Sequence, residues 1–151
     1  MSGRRMLVLV SSALVAGSAL ALATQAPTPA EAVKARHDAM EQVGDSMKAL
    51  GAIAKKQAPF DAAVVKKNAT TIADKLGEAA SLFPPGSDKG ETHAKPEIWA
   101  NKADFDKIMK DGRNAAVALA AVSDEAGFPP ALGALGANCK ACHDKYRLPE
   151  H

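Results

Sequence analysis

The sequence predicts an all-α chain folded as an antiparallel four-helix bundle. Three observations carry that expectation. Strand formers are scarce: aromatic residues make up only 4% of 151 residues, while alanine recurs throughout. Apolar residues return every three or four positions, the period of a helix face, in four separate stretches. Prolines, glycines and capping side chains punctuate those stretches where helices start and stop. Amphipathic helices with no sheet to cover bury their stripes against one another.

The first 23 residues stand outside that bundle. Arg4 and Arg5 precede an apolar run from Met6 to Ala23, which ends in the small-x-small pattern Ala21-Leu22-Ala23. A basic start, an apolar middle and a small-residue cleavage site define a secretory signal peptide. A retained membrane anchor needs roughly 20 strongly apolar residues, and this run is diluted by Ala, Ser and Gly. Residues 1–23 are therefore expected to be removed on export to a bacterial periplasm. That leaves one domain, 24–151, with no membrane span. The leader holds two of the 19 Lys and Arg and no acid, so the domain carries 17 basic against 17 acidic side chains. Such a balance offers no footprint for nucleic acid.

Each helix has its own signals. Thr28-Pro29-Ala30-Glu31 has the form of a capping box with proline at the first helical position. Val33, Met40, Val43, Met47, Leu50 and Ala54 then predict one stripe down a long helix to about Gln57, stopped by Pro59. Asp61 caps a second, with Val65, Ile72, Leu76, Ala79 and Phe83 on its face and Pro84-Pro85-Gly86 at its end. Residues 87–102 lack a helical period and form a long connection, a length usually tied to function or a crossover. The third helix carries Phe105, Ile108, Ala115, Leu119 and Val122 and closes at Gly127. Pro129 and Pro130 open the fourth, with Leu132, Leu135, Cys139, Cys142 and Tyr146 inward and Pro149 at its end.

The fourth helix holds the chemistry. CKACHDKYR, from Cys139 to Arg147, contains the only two cysteines in the chain and a histidine directly after the second. At i, i+3 and i+4, Cys139, Cys142 and His143 project from one helix face within about one turn. C-x-x-C-H is the attachment signature of c-type haem: two thiols bond the vinyl groups and the imidazole binds iron. A zinc site lacks a fourth ligand here, and adjacent Cys142 and His143 share a tetrahedron poorly. A thioredoxin-like pair expects a βαβ setting. A disulfide is compatible with export, but i, i+3 cysteines in a continuous helix fit its geometry poorly, and it gives His143 no role. One covalently bound haem c also supplies the bulky apolar body that an alanine-rich bundle lacks.

With AVKARHDAM (Ala32 to Met40), QAPFDAA (Gln57 to Ala63), PEIW (Pro96 to Trp99) and CKACHDKYR, the chain resembles the class II cytochromes c, the cytochrome c′ family. The resemblance implies an exported four-helix bundle with haem near the C-terminus, and in many relatives a homodimer through the first two helices. It places the distal side of the iron on the first helix, four residues after a characteristic arginine. Here that arginine corresponds to Arg36 and the distal residue to Met40. Typical members leave iron five-coordinate, whereas a low-spin branch uses a methionine sulfur as sixth ligand; LGAIAKK (Leu50 to Lys56) is similar to that branch. The resemblance also implies that Arg36 can bond a haem propionate, against the plain alternative of a solvated arginine. Arg147 resembles the family's basic residue near the proximal histidine.

Met40 also lies on the apolar stripe, where methionine is usually packing. Met47, two turns on, is the reserve ligand; Met109 is expected in the core. His37, His93 and His151 are expected at the surface, and Trp99 against the core or the haem edge. The sequence therefore predicts a periplasmic monohaem one-electron carrier ligated by His143 and Met40, exchanging electrons with redox partner proteins. The competing readings are a five-coordinate protein that captures nitric oxide or carbon monoxide, and a structural bundle with a disulfide. No nucleophile–base constellation suggests an enzyme. Lys140, Lys145 and Arg147, answered locally by Asp144 and Glu150, predict a basic patch that steers an acidic partner.

Overall fold

The computed structural model describes residues 26–149, so the signal-peptide expectation for residues 1–23 and the placement of His151 lie outside the described residues. Four long helices form the bundle: α1 (Pro29–Ala54), α2 (Ala62–Ala80), α4 (Lys102–Ala120) and α5 (Phe128–Tyr146). A single-turn helix, α3 (Glu97–Ala100), interrupts the long connection and holds Trp99. Among the described residues the only β pairing is an isolated antiparallel bridge between Ala94 and Arg147.

The caps work as their sequences predict. The Thr28 hydroxyl accepts the amide of Glu31, whose carboxylate in turn accepts the Thr28 amide at 2.8 Å. Asp61 accepts the amides of Ala63 (2.7 Å) and Val64 (3.2 Å). These satisfy amides that a helix start otherwise leaves without partners. The α1 end comes three residues before Gln57. Lys56 adopts φ 57°, in the left-handed region, and the Gln57 amide turns back to the Ala52 carbonyl at 2.9 Å. The chain is already reversing before Pro59 is reached.

Around the bundle, α1 packs on α2, α2 on α4, and α4 on α5. Gly112, buried in α4, faces α5: a Cβ there would stand 2.6 Å from Oδ1 of Asn138. No comparable seam joins α1 to α5.

The buried face of α1 differs from the expected stripe by about one residue. Ala32, Arg36, Ala39, Val43, Ser46, Leu50 and Ile53 are buried, whereas Val33, Met40 and Met47 are half-buried and Ala54 is exposed. Val43 and Leu50 are common to the expected and the observed faces; Val33, Met40 and Met47 recur at seven-residue spacing beside it.

Candidate functional site

Pro129 and Pro130 sit in the first turn of α5, where a missing amide donor costs nothing. The helix then runs unbroken through the attachment motif. Cys139 and Cys142 form no disulfide with each other, are half-buried, and both pack against the core. Burial pushes both thiols up, and Cys142, which also feels Cys139 and Asp104, reaches about 11. His143 is exposed, and its carbonyl accepts the Arg147 amide at 3.0 Å.

The end of α5 is tied to α4 by a carboxylate that the sequence did not single out. Asp104 accepts from Lys145 Nζ at 2.7 Å and from the Tyr146 hydroxyl at 2.6 Å. The Lys145 bond, then the Tyr146 bond, hold the Asp104 carboxyl below its ordinary value. Burial, reinforced by Asp104, raises Tyr146, and the Asp104 bond raises Lys145. Above this lies a run of edge-on rings: Trp99 to Phe83 at 5.9 Å, Phe83 to Phe105 at 4.6 Å, and Phe105 to Tyr146 at 5.4 Å. Trp99 thus packs as expected, its indole N–H donating to the Pro84 carbonyl at 3.1 Å.

The expected basic patch is largely answered on the molecule itself. Lys145 pairs with Asp104, and Lys140 pairs with Asp144 at 2.6 Å. Asp104 and Lys145 are 41 positions apart, so only the fold brings them together.

On α1, Met40 and Met47 are half-buried and pack against the same core as the two cysteines, while Met109 is buried within it. His37 and His93 are exposed, as expected. Gly44 and Gly51 on α1, and Gly133 and Gly136 on α5, have nothing within 4 Å of where a Cβ would stand. A flat group attached to α5 fits this arrangement. The two cysteines share a face, and the α1–α5 side is not closed by helix packing.

Arg36 is not the solvated arginine of the plain alternative. It is 6% exposed. One terminal nitrogen donates to Leu82 O (3.3 Å) and Ser87 Oγ (3.0 Å), the other to Ser87 O and Thr92 Oγ1, both at 2.6 Å. Its guanidinium also lies 4.8 Å from the Phe83 ring centre and 5.7 Å from that of Trp99. Burial lowers its pKa, partly opposed by Asp88. A propionate would have to share or displace one of these four bonds. Ser87 and Thr92 were invisible as partners in the sequence, because nothing local marks a hydroxyl that fills a buried guanidinium 51 or 56 residues away.

The comparisons with known proteins agree with this geometry. A cytochrome c-556 of Agrobacterium tumefaciens (strain II Chrys) is 46% identical over 118 residues, covering 77% of this chain and 96% of that one. The solved cytochrome c prime of Shewanella frigidimarina superposes with TM-score 0.76 at 34% identity, covering 83% of this chain and all of that one. A further solved cytochrome c′, described as having an unusual ligand-controlled dimer dissociation, gives TM-score 0.74 at 32% identity, over 83% of this chain and all of its own. Residues 31–147 match the family model described as Cytochrome C′. The chain thus belongs to the cytochrome c′ family, the class II cytochromes c, and carries one haem c attached through Cys139 and Cys142.

Proposed function

We propose that this monohaem cytochrome is a periplasmic one-electron carrier, with His143 as proximal ligand and Met40 as distal ligand. The observation that carries the reading is the position of Met40. It stands on the half-buried edge of α1, outside the tightly packed face, while packing against the same core as Cys139 and Cys142. Haem bound there supplies one reversible electron at iron. The chain's part is to fix the donors. An imidazole nitrogen and a thioether sulfur form a His/Met pair that raises the potential. Both sit on long helices, so gain or loss of an electron demands little rearrangement. The leader supports export, and no helix among the described residues is long and apolar enough to cross a membrane. Redox partner proteins are the exchange partners in this reading, and a homodimer through α1 and α2 fits the dimer described for one solved relative.

The test is the absorption spectrum of the purified holoprotein in both oxidation states. Low-spin, six-coordinate iron throughout is the expected result. High-spin iron would overturn the Met40 assignment and favour the five-coordinate binder of nitric oxide or carbon monoxide. Sedimentation of the same sample reports the dimer.

A further inference from the structure

Two sets of bonds meet on one short stretch of the 81–101 connection. From one side comes α1: Arg36 donates to Ser87 O, Ser87 Oγ and Thr92 Oγ1. From the other comes the end of α5. The Leu148 amide donates to His93 O at 2.7 Å, and the Lys95 amide donates to Tyr146 O at 3.0 Å. Lys95 Nζ adds a bond to Asp144 O at 3.2 Å, and Ala94 bridges to Arg147. Thr92 Oγ1 stands at the junction, because it also accepts the Ala94 amide at 3.1 Å. One hydroxyl therefore links the guanidinium of α1 to the segment paired with α5.

The stretch is stiff for its length. Ser87 is fully buried, and both its amide (3.2 Å) and its hydroxyl (2.9 Å) donate to Pro84 O. The Trp99 indole donates to the same carbonyl. A buried guanidinium N–H left without an acceptor carries the full cost of its lost hydration, so the clamp resists opening one bond at a time.

The two anchor points matter because of what lies one turn away. Arg36 precedes Met40 by four residues on α1. The α5 anchors, Tyr146, Arg147 and Leu148, follow His143 by three to five. Since α1 and α5 share no packed seam of their own, this stretch joins them directly. We infer that residues 87–95 form a strap that sets the spacing between the two helices bearing the axial ligands, with Arg36 and Thr92 as positioning residues for the Met40 sulfur. This rests on the His143/Met40 reading above.

The experiment uses the holoprotein and two mild variants, Thr92→Val, which keeps the shape and removes the shared hydroxyl, and Arg36→Lys, which keeps the charge and removes the fork. Three quantities are read: the low-spin fraction, the association rate of carbon monoxide with reduced protein, and amide hydrogen exchange at Lys95 and Leu148. With haem content unchanged, both variants are expected to speed exchange at these amides. They are also expected to raise the carbon monoxide rate by about tenfold, the scale of one lost charge-assisted hydrogen bond. Met40→Ala is measured alongside. If Met40→Ala opens the iron but the strap variants change neither exchange nor carbon monoxide rate, the strap is overturned. Faster exchange with an unaltered carbon monoxide rate overturns the positioning role as well. If Met40→Ala itself is silent, the ligand reading falls and the positioning role falls with it, so the two failures differ in which variant is silent.

Discussion

Met40 and Met47 stand seven residues apart on the half-buried edge of α1, with Gly44 and Gly51 four residues beyond each. The pair is chemically identical and nearly equivalent in burial, so position along the helix must distinguish ligand from packing. Met40→Ala is expected to convert low-spin iron to a high-spin form, to lower the reduction potential and to admit carbon monoxide readily, because the thioether favours the reduced metal. Met47→Ala is expected to leave the spectrum intact. Visible spectra and a redox titration of both variants check this; a spectral change in Met47→Ala alone would move the ligand by two turns. The attachment cysteines make the sharper case. Replacing Cys139 or Cys142 by Ala should abolish or weaken covalent retention, read as haem lost on acid–acetone extraction. The apo chain should then be poorly folded, because a void of that size among helices collapses only partly.

Between elements, the seam of α4 with α5 carries the motif. Gly112 faces Asn138 there, one residue before Cys139. A methyl in Gly112→Ala would stand 2.6 Å from the free end of the Asn138 side chain, which can turn aside, so a helix-propensity gain of about 1 kcal/mol is expected to offset the crowding. A urea midpoint that is unchanged or slightly raised, with unchanged slope, is the signature; a clear fall would show that Asn138 cannot move. The other tie is Asp104 with Lys145 and Tyr146. Its carboxyl is held below the ordinary value of 3.8, so the stability it contributes is complete above that pH and is lost as pH falls through the folded value. Asp104→Asn should be less stable near neutral pH, and its stability should fall less on acidification. Urea midpoints for the two proteins should draw together only as pH falls below 3.8, toward the lower folded value; parallel curves would sink the argument. These ties also show where sequence reading stops. The four long helices, the Thr28 and Asp61 caps and the C-x-x-C-H motif were legible because local spacing encodes them, whereas the chain leaves α2 at Ala80, before Phe83, and α4 at Ala120, before Val122, and the turn of helix at Glu97–Ala100 was not expected. The α1 stripe was legible in part: Val43 and Leu50 are buried as expected, but Arg36 and Ser46 are buried too, which hydropathy does not signal, while Met40 and Met47 are half-buried. Asp104, Ser87 and Thr92 were illegible because their partners lie 41 to 56 positions away.

For the whole molecule, charge and connectivity decide behaviour. The domain is formally neutral, and Lys140 and Lys145 are answered by Asp144 and Asp104. Surface pairs of this kind leave a weak field, so electron exchange with an acidic partner should depend only modestly on salt. Asp104→Asn unmasks Lys145, and it is expected to speed that exchange at low ionic strength, with the gain vanishing as salt rises. Stopped-flow rates over a salt series check the sign; a slower variant at low salt would refute it. The order of packing has a further consequence. Among the four long helices, each packed seam joins one to the long helix before it in the chain: α2 onto α1, α4 onto α2, α5 onto α4. A chain that folds from its N-terminus can therefore assemble α1, α2 and α4 before its cysteines are in place. The attachment motif lies on the last of the described helices, so its two cysteines stay accessible until α5 docks on α4.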